Sequence, residues 1–114
     1  MSALREHQSR FVQLLVTLLE WGHANGYEFT LDEAYRPKET AELYAAQGRG
    51  IANSLHTSRC AIDLNAFRCG GLLETEEYAL LGAYWKTLDP DCAWGGDFKS
   101  HDARHFSLRW GGVE

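Results

Sequence analysis

The chain has 114 residues, of which 45% are hydrophobic and 24% charged. That is the size and balance of one globular domain, residues 1–114, and it excludes a disordered chain, a collagen-like repeat and a two-domain enzyme. A formal net charge of −5 provides no broad positive field, so neither nucleic acid nor an anionic membrane is expected as a partner. The three cysteines, Cys60, Cys69 and Cys92, are odd in number and form no CxxC pair, which points to a reducing compartment rather than a disulfide framework. Phe11 to Leu19 is apolar but interrupted by Gln13 and Thr17 and closed by Glu20. It resembles neither a secretory leader nor a membrane span. The chain is expected to be made as a soluble cytoplasmic protein, so action elsewhere would need separate release.

Leu4, Phe11, Leu14, Leu15, Leu18 and Leu19 recur at helical spacing, predicting an amphipathic helix from about Ser2 to His23, with Ser2 as its cap. Asn25-Gly26 ends it. Alternation from Tyr27 to Tyr35 predicts a strand. Pro37 suits the first position of a helix running through Lys38 to Gln47, and Gly48-Arg49-Gly50 stops it. An irregular loop follows to about Thr57.

Cys60 to Phe67 reads as a core strand, with Cys60, Ile62 and Leu64 on one face and Ala61, Asp63 and Asn65 on the other. Gly70-Gly71 is a turn. Thr75 is the expected cap of a helix from about Glu76 to Leu88 that packs Tyr78, Leu81, Trp85 and Leu88. Trp94-Gly95-Gly96-Asp97-Phe98 forms a tight aromatic loop, its glycines chosen for conformational freedom. The last strand runs from His105 to Trp110. Helices and strands do not alternate regularly, so the fold class is α+β: a small antiparallel sheet packed by about three helices.

The chemistry concentrates on two late strands. Asp63 sits on the polar side of an otherwise apolar strand, where a charge is costly unless paired, exposed or bound to metal. His56 lies seven residues earlier and His105 opens the final strand. Two imidazoles and a carboxylate are a normal ligand set for catalytic zinc, with the fourth position open for water. A hydrogen-bonded His/Asp cluster in the core would satisfy the same spacing. His101 falls in a loop and reads as exposed, while His7 and His23 lie on the first helix. Cys60 is a zinc ligand type, but alternation turns it away from Asp63.

Four motifs in order sharpen this reading: Ser54-Leu55-His56, Ala61-Ile62-Asp63-Leu64, Trp94-Gly95-Gly96-Asp97-Phe98 and Asp102-Ala103-Arg104-His105-Phe106. Together they resemble the M15 family of zinc peptidases, over about Tyr35 to Leu108. The family holds D-alanyl-D-alanine carboxypeptidases and dipeptidases and the L-alanyl-D-glutamate endopeptidases of phage endolysins. The resemblance implies a Hedgehog/D-Ala-D-Ala peptidase-like fold in which His56, Asp63 and His105 hold zinc (Zn2+). It makes Asp102 the catalytic acid and base, and Arg36 a residue that binds and polarises substrate. Ser54 would bind substrate or support a ligand.

Three departures stand out. Asp102 replaces the family's usual Glu, Arg59 stands where Gly is common, and Phe106-Ser107 replaces Phe-Glu.

The implied activity is hydrolysis of peptidoglycan stem peptides by a monomer, with an L-alanyl-D-glutamate endolysin activity first. No wall-binding domain is visible, so targeting would rest on the catalytic groove. The rivals are a D-alanyl-D-alanine carboxypeptidase and a non-catalytic zinc domain of the same fold, for which Asp102 would be superfluous. Arg36 could instead pair with Glu39 or Glu42, and Asp102 could cap a loop. Asp97 is a second acid eight residues from His105. A serine or cysteine hydrolase lacks support, because no Gly-x-Ser-x-Gly elbow exists.

Overall fold

The computed structural model describes residues 3–49 and 54–114. The expected Ser2 cap and part of the loop after Gly48 lie outside the described residues.

Helix α1 (Ala3–Ala24) buries Phe11, Leu14, Leu18 and Gly22. Glu6 in its first turn and His23 in its last match the helix dipole. Gly22 is there for space: a Cβ would meet the Phe29 ring. Gly26, at φ +87°, turns the chain into β1 (Tyr27–Leu31).

The expected strand stops four residues short of Tyr35. Beyond Leu31 the chain leaves ladder geometry but stays tied to β2, through Asp32 N–H to the Asp63 carbonyl (2.9 Å) and Asp63 N–H to the Glu33 carbonyl (2.8 Å). Pro37 precedes α2 (Lys38–Ala46) as its cap residue rather than opening it, and the helix buries only Ala41.

The central strand β2 (Ala61–Arg68) alternates as expected, with Ile62, Leu64 and Ala66 buried and Asp63 and Asn65 partly open. A two-residue turn at Cys69 (φ 54°) and Gly70 (φ 81°) leads into β3 (Gly71–Leu72), the paired positive φ of a tight hairpin. The next helix begins at Thr75, one residue earlier than expected. Glu74 is the cap, and its side chain and that of Glu77 satisfy each other's backbone N–H groups. A 3-10 turn (Thr75–Tyr78) then runs into α3 (Ala79–Leu88).

A short strand β4 (Cys92–Trp94) precedes β5 (His105–Leu108). The sheet order is β1-β2-β5-β4, all antiparallel, with β3 also on β2. β2 therefore has two sets of partners: β1 along Leu64–Arg68 and β5 along Ala61–Asp63.

Helices α1 and α3 cover one sheet face. Phe11, Leu14, Leu18, Leu81 and Trp85 meet Ile62, Leu64, Phe106 and Leu108 there. Trp85 is fully buried and its indole N–H donates to the Ala93 and Ser107 carbonyls, so the core's largest ring leaves no polar atom unpaired. Among the described residues no helix is long and apolar enough to cross a membrane.

Candidate metal centre

The sheet register places Asp63 of β2 directly opposite His105 of β5, both on the face away from the two covering helices. His56 reaches the same point from the loop before β2. That loop folds on itself: Ser54 Oγ accepts from His56 N–H (3.2 Å), Thr57 donates twice to the Ser54 carbonyl, and Cys60 N–H donates to the Leu55 carbonyl (3.0 Å). Ser54 is itself buried. Its hydroxyl oxygen thus braces the His56 backbone.

His56 Nε2 lies 3.3 Å and His105 Nδ1 3.4 Å from the same oxygen, Asp63 Oδ1. Yet that oxygen is buried and has no hydrogen-bond partner among the described residues. A well-formed polar cluster in a core would satisfy it. Donors held about 2.0–2.1 Å from a tetrahedral zinc lie about 3.3 Å apart, so lone pairs converging at this spacing fit a metal. The ligating atoms of His56, Asp63 and His105 all fall within 4.8 Å of one another. The donor set fits zinc.

The two imidazoles are oriented by different means. His56 Nδ1 donates to the Ala34 carbonyl (2.9 Å), which leaves Nε2 as the bare nitrogen facing Asp63. His105 is held by packing: the His56 ring edge-on at 5.1 Å, the Phe98 ring at 5.3 Å, and Gly95 beneath its Cβ. Its Nε2 is buried without a partner among the described residues.

The charges are mutually adjusted. Burial works to raise the Asp63 carboxyl, but the His105 and His56 imidazoles outweigh it and hold it below the usual carboxylate range. Burial works to lower His56, while Asp63 and the Ala34 carbonyl lift it above its ordinary value. Asp102, three residues before His105, moves opposite to Asp63. Desolvation first, then the charge of Asp63, push its carboxyl up against the pull of His105, Arg104 and His56. Its residue is solvent-exposed overall, yet it lies close enough to Asp63 and the two imidazoles to feel their charges.

Gly95 sets this corner. Its carbonyl accepts from Asp102 N–H (2.9 Å), and Asp102's own carbonyl accepts from His105 N–H (3.1 Å). A Cβ on Gly95 would run into the Asp102 carbonyl and the His105 Cβ, and one on Gly96 would run into the Trp94 ring. Neither glycine has positive φ. They are required for close approach, which corrects the expectation of conformational freedom. Asp97 is drawn off by Lys86 Nζ at 2.6 Å on the surface.

Arg36 borders the site from the other side. Its backbone N–H donates to the His56 carbonyl (3.1 Å), and its guanidinium is near enough to oppose protonation of His56. Its partner is neither Glu39 nor Glu42 but Glu33, whose Oε1 accepts from Nε at 2.8 Å and also from Nη2. The Tyr44 ring lies 5.2 Å from the guanidinium carbon. Glu33 and the Ala34 carbonyl were not visible as site elements in the sequence, because they act from an irregular segment with no period.

No protein-family profile matches this sequence, and no curated protein matches it. Solved structures do. One is the L-Ala D-Glu endopeptidase ChiX of Serratia marcescens, with TM-score 0.73 and 21% identity over 89% of this chain and 79% of that one. Another is a mutant of the vancomycin-resistance D,D-pentapeptidase VanY from a VanB-type resistance cassette, in complex with Zn(II). It has TM-score 0.63 and 18% identity over 87% of this chain and 70% of that one. At these identities the likeness concerns the backbone, and it bears out the α+β fold, a small antiparallel sheet packed by about three helices.

Proposed function

We propose that the chain is a zinc-dependent peptidase of peptidoglycan stem peptides, acting as an endolysin-type L-alanyl-D-glutamate endopeptidase in a single domain. One observation carries the reading: a buried carboxylate oxygen with no hydrogen bond among the described residues, faced at 3.3 and 3.4 Å by two imidazole nitrogens. The motif resemblance and the fold shared with an L-Ala D-Glu endopeptidase support the choice of substrate.

His56, Asp63 and His105 would hold the zinc, which when bound supplies a Lewis acid for the scissile carbonyl and the attacking water. The protein's own groups do the rest. Asp102, pushed above its ordinary value, accepts the proton of the attacking water and returns it to the leaving amine. Arg36, steadied by Glu33, donates to the oxygen on which charge develops, a contribution of about 3–4 kcal/mol for one well-placed donor. Ser54 and Gly95 position the ligands and the base. Asp102 is one methylene shorter than Glu, so its carboxylate must lie close to the ligands. The hydrogen bonds through Gly95 hold its backbone beside His105.

Metal analysis of protein purified without chelator, together with digestion of defined muropeptides and mass analysis, tests the reading. Release of the stem from its L-alanine is expected. Asp102→Ala is expected to retain zinc while turnover falls about 10²–10⁴-fold. Full turnover in Asp102→Ala would remove Asp102 as the base, and full zinc content without hydrolysis in the wild-type chain would make this a binding domain. A D-alanyl-D-alanine carboxypeptidase is the second reading, favoured by the fold shared with a D,D-pentapeptidase. Loss of a single alanine would identify it.

A further inference from the structure

Two arginines flank the candidate metal centre, and they are not equivalent. Arg36 is 13% exposed in its side chain and tied to the Glu33 carboxylate through two nitrogens. Arg104 is 49% exposed and makes one side-chain hydrogen bond among the described residues, from Nη1 to the neutral Asn65 Oδ1 at 3.0 Å. Its nearest carboxylate, Asp32, is half-exposed at 4.0 Å. The Arg104 backbone is nonetheless fixed, because its carbonyl accepts from Leu64 N–H at 2.9 Å. A guanidinium carried on fixed backbone, with most of its five donors without a partner among the described residues and one residue from a candidate ligand, is suited to bidentate capture of a carboxylate.

Arg104 also lines a cavity of about 320 Å3 between β3 and the segment leading into β5. Asp102 and His101 share its wall, and Leu72, Leu73 and Tyr78 form the opposite side. The other charged wall residue, Glu74, spends its carboxylate on the helix cap. The volume suits a small-ligand subsite. In the hydrolysis proposed above, water adds hydroxyl to the acyl carbon and a proton to the amine. If Asp102 carries that proton, the leaving half of the substrate lies on the Asp102 side, which is the side of this cavity. In both stem-peptide bonds under consideration the residue that leaves carries a carboxylate on the same carbon as its amine. It is the α-carboxylate of a γ-linked D-glutamate or the terminal carboxylate of D-alanine.

We propose that Arg104 is a specificity-determining residue that binds the carboxylate of the leaving residue in this cavity. It rests on the peptidase reading for the identity of the ligand. Substrates with a free α-carboxylate are then preferred over amidated ones.

The test uses the zinc-loaded protein and two peptides, L-Ala-γ-D-Glu-L-Lys and its α-amide, with calorimetric titration of the matching products γ-D-Glu-L-Lys and its α-amide. The wild-type chain is expected to favour the acid form by about tenfold in KM and in product affinity. In Arg104→Gln the acid-to-amide ratio should fall towards one with zinc content retained, and Arg104→Lys should keep part of the preference. An Arg104→Gln protein with the wild-type ratio, or a wild-type chain with no preference, overturns the proposal. If the wild-type chain cleaves neither these nor D-Ala-D-Ala peptides, the peptidase reading fails. The calorimetric ratio still decides the role of Arg104 in that case.

Discussion

The two faces of the β2–β5 pair are built from alternate residues of the same strands, yet different physics holds them. On the helix-covered face, Ile62, Leu64, Phe106 and Leu108 are almost fully buried among apolar neighbours, and their stability comes from burial and close packing. On the other face, Asp63 and His105 stand opposite each other, and the shared oxygen has no hydrogen bond among the described residues. The burial of that carboxylate is offset by the two imidazoles that face it at 3.3 and 3.4 Å. One face is held by burial of apolar surface and the other by attraction between a carboxylate and two imidazoles.

Substitutions at adjacent residues separate the two roles. The largest effect is expected on the polar face: Asp63→Asn should abolish zinc retention and with it hydrolysis, measured by metal content after desalting. Leu64→Ala, one residue along and fully buried, should cost about 2–5 kcal/mol in urea unfolding. Its folded molecules should still take up one zinc each. Loss of zinc in folded Leu64→Ala would mean that the faces are not separable.

Gly95→Ala tests the corner where both faces meet. The added methyl has nowhere to go without displacing the Asp102 carbonyl or the His105 Cβ. Turnover should fall about 10²-fold and zinc affinity by about tenfold or more. Gly48→Ala, where nothing among the described residues lies within 4 Å, serves as a control for conformational strain, since its φ is +72°. A Gly95→Ala protein with wild-type zinc affinity and turnover would show that the close approach does not position the site.

How much of this was legible in the sequence depended on period and chemistry. α1 and β2 carry many residues at their own repeat, so their faces were readable. β3 has two residues and β4 three, too few to show alternation, and both were missed. The cap moved from Thr75 to Glu74 because the reciprocal pairing is with Glu77, a pattern hidden when Thr is taken as the better cap. At the centre, the structure brings the ligating atoms of His56, Asp63 and His105 within 4.8 Å of one another; these are the residues that the motif resemblance, rather than their spacing, singles out. What motifs could not convey was support from the backbone: the Ala34 carbonyl behind His56, Glu33 behind Arg36, and the Gly95 carbonyl behind Asp102.

The polar face should also show itself in pH dependence once zinc is chelated. The depressed Asp63 carboxyl adds stability above its unfolded value of about 3.9, and this is lost as pH falls through the lower folded value. The raised His56 adds stability that is complete below about 6.5 and lost as pH rises through its higher folded value. Both describe one His–Asp attraction, counted once. The metal-free protein should therefore be most stable between the carboxylate and imidazole ranges, and Asp63→Asn should flatten that maximum. An unchanged profile in Asp63→Asn would assign the dependence to other groups.

The smallest expected effect sits in the His56 loop, at Arg59, where the M15 pattern often has glycine. Arg59 has φ 58°, a conformation that costs an ordinary L-residue about 1–2 kcal/mol and glycine little. Its guanidinium lies 4.2 Å from the centre of the Tyr35 ring, a contact worth about 0.5–1 kcal/mol at an exposed position. The two effects nearly offset. Arg59→Gly should shift unfolding by less than about 1 kcal/mol, because it relieves the strain as it removes the ring contact. Arg59→Ala keeps the strain and loses the contact, so it should lie about 1–2 kcal/mol below Arg59→Gly. Equal urea midpoints for the two variants would mean that the left-handed backbone is not what the glycine of the family pattern serves. The reason for that glycine would then lie in the groove rather than in the turn.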